Sequence, residues 1–125
     1  GAFSVPENFL RWNPSCHHKG ALELADTFLD LWKDWNLAVF YVWGHSYEFD
    51  GDKNWELIER FCEKMGGRDD IWYATNIEIV DYINALRALK FTARADRVYN
   101  PTATDVWIWV DGEVAKIDAG KTVNL

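Results

Sequence analysis

The run at residues 37–43, LAVFYVW, limits what this chain can fold into more than any other stretch. It has no polar alternation and is far too short to span a bilayer, so it predicts a strand buried on both faces. Such strands belong to parallel sheets, where ligands sit beyond the carboxyl ends of the strands. That places the chemistry at Gly44, His45, Ser46, Tyr47 and Glu48, immediately after the run. Gly44 would let the backbone turn there, aiming His45 into the cleft that the strand ends line.

On either side the period is helical. From Ala21, the residues Leu24, Phe28, Leu31, Trp32 and Trp35 share one side, with Glu23, Asp26, Asp30 and Lys33 mostly opposite. A second helix, capped by Asn54 or Asp52, presents Leu57, Ile58, Phe61, Cys62 and Met65, and Gly66-Gly67 ends it. Thr75 and Glu78 have the spacing of a capping box, so a third helix starts there and runs to about Leu89 through Val80, Ile83 and Leu86. Short apolar runs at residues 9–12 and 71–74 supply two further strands, and residues 15–19 form a loop. The pattern is three parallel strand-helix units over residues 1–90. The remainder, residues 91–125, alternates or is β-branched and is broken by Asn100-Pro101, Asp111-Gly112 and Ala119-Gly120, which predicts an antiparallel hairpin appendage.

Right-handed crossovers would gather the strand ends on one rim, bringing His17 and His18, then His45, Tyr47 and Glu48, then Thr75 and Asn76 together. A lone His is more often a structural hydrogen-bonding group than a catalyst. His17 and His18 are adjacent and would point apart on an extended chain, which argues against joint metal ligation; His45 and Glu48 have a chelating spacing without a third ligand at a diagnostic distance. Residues 50–54 begin like a calcium loop, but Trp55 stands where Gly is needed and Phe61 where a bidentate Glu is needed.

Composition removes whole classes of function. The net charge of −7, with no basic cluster, argues against nucleic-acid binding. No stretch is long and apolar enough for a membrane helix, and no charged-then-apolar leader is visible. Cys16 and Cys62 form no disulfide framework and lean towards a reducing, cytoplasmic compartment. Eight Trp are many for 125 residues; most are expected in the core, but Trp43, Tyr47, Trp72, Trp107 and Trp109 also offer flat surface for sugars. Alternation puts Trp107 and Trp109 on one face.

The strings at residues 10–18 (LRWNPSCHH), 40–50 (FYVWGHSYEFD), 54–59 (NWELIE) and 70–78 (DIWYATNIE) resemble the C-terminal portion of bacterial polysaccharide deacetylases of the fourth carbohydrate esterase family. The similarity runs from about residue 9 through the terminal hairpins. It implies the back part of a distorted parallel β/α barrel, and an activity that removes N- or O-acetyl groups from a polysaccharide or oligosaccharide. It also implies that His45 is the catalytic general acid, with Trp43, Tyr47, Glu48, Trp72 and Asn76 towards substrate. The family uses one divalent metal, usually zinc. Its Asp pair, its H-x-x-x-H and its Arg-x-Pro-Tyr segment do not occur here, so zinc is expected in a complete protein and none is expected on this chain alone. The alternative is a non-catalytic carbohydrate-contacting or assembly domain. An unpaired apolar strand edge carrying Val39, Tyr41 or Ile71 would favour homo-oligomers.

Overall fold

The computed structural model describes residues 2–31 and 37–125. Trp32 and Trp35 of the first predicted helical stripe, and Lys33 opposite them, lie outside the described residues. The fold is mixed α/β and divides into two compact units, Gly1–Ile71 and Trp72–Leu125.

In the first unit the central run forms only a short strand. Strand β1 (Cys16–His17) pairs parallel with β2 (Val42–Trp43) through Cys16↔Val42 and His17↔Trp43. Ser15 extends the contact: its N–H donates to Tyr41 O at 2.7 Å, its hydroxyl donates to Val39 O at 3.3 Å, and Tyr41 N–H donates back to the hydroxyl at 3.1 Å. On the other side, Ala38 bridges Ser4 in the antiparallel sense. The run is half-buried for most of its length, with Leu37 and Trp43 exposed.

Two expected strands do not form. Residues 9–12 instead enter a 3₁₀ turn, Phe9–Arg11, started by Asn8, whose side chain accepts from Leu10 N–H at 2.9 Å. Residues 71–74 form no strand and lead straight into a helix. Among the described residues β1–β2 is the only parallel pair, so three parallel strand-helix units are not present. The expected loop at residues 15–19 holds β1 and a second 3₁₀ turn, His18–Gly20.

Helices fill out this unit. Helix α1 (Ala21–Leu29) buries Ala21 and Ala25; α2 (Ser46–Asp52) buries Phe49; α3 (Trp55–Met65) buries Met65. Phe3, Phe28 and Phe40 form an aromatic triad with centroids 5.2–5.4 Å apart, and Phe61 of α3 closes on Phe40 at 5.7 Å. Leu57, Ile58 and Phe61 are half-buried as their spacing requires, whereas Cys62 is exposed. Asn54 sits at the cap position of α3 without a side-chain cap bond. Gly67, with φ 66°, supplies the left-handed residue after the last turn.

The second unit opens on α4 (Asn76–Arg87), and the capping box is as the spacing predicts. The Glu78 carboxylate accepts from Thr75 N–H at 2.7 Å, while Thr75 Oγ1 accepts from Glu78 N–H at 3.5 Å. Thr75→Ala should cost about 1 kcal/mol, read as a lower denaturant midpoint.

Strands β3 (Lys90–Phe91), β4 (Arg97–Tyr99) and β7 (Thr122–Asn124) form one antiparallel sheet; β5 (Val106–Val110) and β6 (Glu113–Ile117) form a hairpin. Asp111 and Gly112 turn that hairpin with φ of 48° and 94°, positive at both positions as a type I′ turn demands. The core joins helix and strands: Ala85, Val98, Val106 and Ile117 are buried, with Tyr82, Leu86 and Ile108 packed against them. Helix α4 therefore belongs with the strands that follow it. Asn100 is fully buried and its side chain is satisfied, donating to Thr104 O and Ile117 O and accepting from the Thr102 backbone and hydroxyl. Among the described residues no helix is long and apolar enough to cross a membrane.

Candidate functional site

The carboxyl ends of β1 and β2 lie side by side, so each delivers its next residues to the same place. Strand β1 ends at His17, and the chain turns at once into the 3₁₀ segment that begins with His18. Strand β2 ends at Trp43, followed by Gly44 and by His45, which precedes the first residue of α2. One turn into α2, Glu48 points back over both ends.

Glu48 Oε2 is the centre of the arrangement. It accepts from His45 N–H at 3.0 Å and lies 3.2 Å from His45 Nδ1, 3.1 Å from His17 Nε2 and 3.8 Å from His18 Nδ1. The backbone N–H of Lys19 reaches His17 Nδ1 at 3.5 Å, so the His17 proton sits on Nε2 and is donated to Glu48. Partial desolvation alone would raise the pKa of Glu48. It is outweighed by the His45 backbone N–H and by the His17 and His45 imidazoles, which hold the carboxyl down to about 2.

His18 is of a different kind. It is 2 % exposed, and neither ring nitrogen has a hydrogen-bond partner. Its ring is clamped between His17, with centroids 4.0 Å apart, and Phe49 at 4.4 Å. Gly44 is explained by this ring and not by backbone freedom: a Cβ at Gly44 would lie 2.1 Å from His18 Nδ1, and Gly44 has no left-handed φ. A cleft of about 200 Å³ opens beside the cluster, lined by His18, Trp43, Gly44, His45, Ser46 and Phe49 among others.

Of the residues singled out by sequence, His45, Trp43, Tyr47 and Glu48 come together. The His45 ring is half-exposed, stacks on Tyr47 with centroids 5.0 Å apart, and meets the Trp43 edge at 5.7 Å. Trp72 and Asn76 are exposed residues of the second unit; Trp72 packs edge-on against Tyr82 at 5.6 Å. His17 and His18 do converge, contrary to the expectation for an extended pair. The chain leaves the extended conformation between them, so strand alternation no longer separates their side chains. The signal was half present in the chelating spacing of His45 and Glu48. What spacing could not show is that a residue 31 positions earlier completes the contact.

No protein-family model, curated protein or solved structure matches this chain.

Proposed function

We propose that this chain is the C-terminal part of a polysaccharide deacetylase-like hydrolase that removes acetyl groups from a carbohydrate, with His45 as general acid. The observation that carries the reading is the His45–Glu48 pair at the mouth of the cleft. Nδ1 is held against a carboxylate at 3.2 Å, while Nε2 makes no hydrogen bond among the described residues. A carboxylate behind an imidazole fixes the orientation of the ring. Deacetylation needs such a group. When the tetrahedral intermediate collapses, the bond from carbon to the leaving nitrogen or oxygen breaks and its electron pair goes to that atom, which takes the proton from Nε2. Trp43 and Tyr47 flank the ring with flat apolar surface suited to the faces of sugar rings.

The H-x-x-x-H of the family's metal site does not occur in these 125 residues, and their one Asp-Asp pair, Asp69-Asp70, is exposed. In this reading the nucleophile is generated by residues outside the chain, and the chain alone is inactive. Acetate release from an acetylated chitooligosaccharide by the complete reading frame tests it. Release above background supports the reading, and none under any metal supplementation overturns it.

The second reading is a non-catalytic carbohydrate-contacting or assembly domain. It is favoured by the exposed Trp107 and Trp109 on one face of β5, where the Tyr82 ring stacks on Trp107 and Lys116 Nζ lies 5.6 Å above that indole. Oligosaccharide binding without acetate release, lost in Trp107→Ala, would select it.

A further inference from the structure

We propose that His17, His18 and Glu48 form a binding site for one divalent transition-metal cation of the zinc class, held by this chain on its own. The proposal does not rest on the deacetylase reading, and it departs from the expectation that the isolated chain holds no metal.

The donor atoms are close to what such an ion requires. His17, His18 and Glu48 each offer one ligand atom, and these three atoms all lie within 4.8 Å of one another. Zinc bonds to imidazole nitrogen and carboxylate oxygen at about 2.0–2.2 Å, which puts two ligands of a tetrahedral ion about 3.3–3.6 Å apart. The separations from Glu48 Oε2, 3.1 Å to His17 and 3.8 Å to His18, bracket that range. Two imidazoles with one carboxylate suit zinc or cobalt; calcium and magnesium prefer sets made of oxygen alone.

His18 supplies an independent reason. Buried polar groups are nearly always paired, and each one left unpaired costs about 1–3 kcal/mol. Here an imidazole 2 % exposed has both nitrogens without a hydrogen-bond partner, and Nδ1 lies 3.8 Å from Glu48 Oε2. A cation between Nδ1 and Oε2 gives that nitrogen a partner. Any side chain at Gly44 would block Nδ1, since a Cβ there would lie 2.1 Å from it.

The surroundings orient the ligands as outer groups do at metal sites. The His45 backbone N–H fixes the Glu48 carboxylate, and the Trp43 edge packs against the His17 ring at 5.0 Å. His17 and Glu48 side chains are 28 % and 22 % exposed, so an ion reaches the site from solvent and a water fills its fourth position. Binding at Nε2 moves the His17 ring proton to Nδ1; it replaces the 3.1 Å hydrogen bond to Glu48 by a shared ion and gives up the 3.5 Å contact from Lys19, the longest hydrogen bond at the cluster.

The test uses the 125-residue chain stripped with a chelator and titrated calorimetrically with zinc chloride. Cobalt absorption serves as a second probe, and the His18 ring nitrogens are followed by NMR. One zinc per chain is expected, with a large shift of the His18 Nδ1 resonance. Losing an outer-shell partner typically weakens metal binding 10–100-fold, so removing a ligand in His17→Ala should weaken it by about 100-fold or more, with the far-UV circular dichroism unchanged. If His17→Ala does not fold, His17→Gln and Glu48→Gln are measured in its place. Changing Cys16 and Cys62 to Ser should leave binding intact. Binding no tighter than in the folded ligand variants, or binding abolished by the Cys changes alone, overturns the proposal and leaves the role of His45 untouched.

Discussion

His45→Ala in the complete reading frame should lower kcat by roughly 10²–10⁴-fold, the usual scale for losing a general acid. The effect is expected on kcat more than on KM, because the proton is needed only once the tetrahedral intermediate has formed. The fold should hardly notice. The ring is half-exposed, so truncation leaves no enclosed cavity, and Glu48 keeps the His45 backbone N–H and His17 Nε2 as donors. Steady-state kinetics with acetylated oligosaccharide, paired with a thermal melt, checks both halves. A variant that unfolds, while each remaining folded molecule works at the original rate, would show that His45 is structural and remove the observation on which the catalytic reading stands.

Gly44→Ala should destabilise the first unit by about 3 kcal/mol, at the upper end of the usual cost of overpacking. The new methyl would meet three atoms of one ring: His18 Nδ1 at 2.1 Å, Cγ at 3.1 Å and Cε1 at 3.2 Å. A flexible side chain could swing away, but this imidazole is buried between His17 and Phe49. Either β2 shifts away from the 3₁₀ turn or the His18 ring leaves the cluster. Gly51→Ala is the control, since nothing lies within 4 Å of its added Cβ and it falls inside α2. That change should stabilise by up to about 1 kcal/mol, through helix propensity. Urea unfolding of both variants separates the two mechanisms by sign. Equal stability of Gly44→Ala and the parent chain would mean that the close approach to His18 is not a real constraint.

What the sequence determined by itself is whatever is decided within a few residues. Thr75 and Glu78 close a capping box because both partners lie within one helical turn. Asp111-Gly112 turns a hairpin because both positions need positive φ, and Gly67 follows α3 for the same reason. The Leu57, Ile58, Phe61 and Met65 stripe is legible because helix period alone sets which side chains share a face.

Strand identity was another matter. Residues 9–12 and 71–74 have the aromatic and β-branched composition of strands, yet the first became the 3₁₀ turn Phe9–Arg11 and the second formed no strand; Cys16–His17, which looked like loop, pairs with Val42–Trp43. A strand exists only where a partner backbone offers its hydrogen bonds, and β propensity mostly records packing context. The site follows the same division. Gly44, His45 and Glu48 could be picked out along the chain, but only tertiary structure set His17 and His18 against Glu48, across 31 and 30 residues, and gave Gly44 its reason in a ring packed against it. Those contacts depend on two strand ends lying side by side, and no local pattern encodes that pairing.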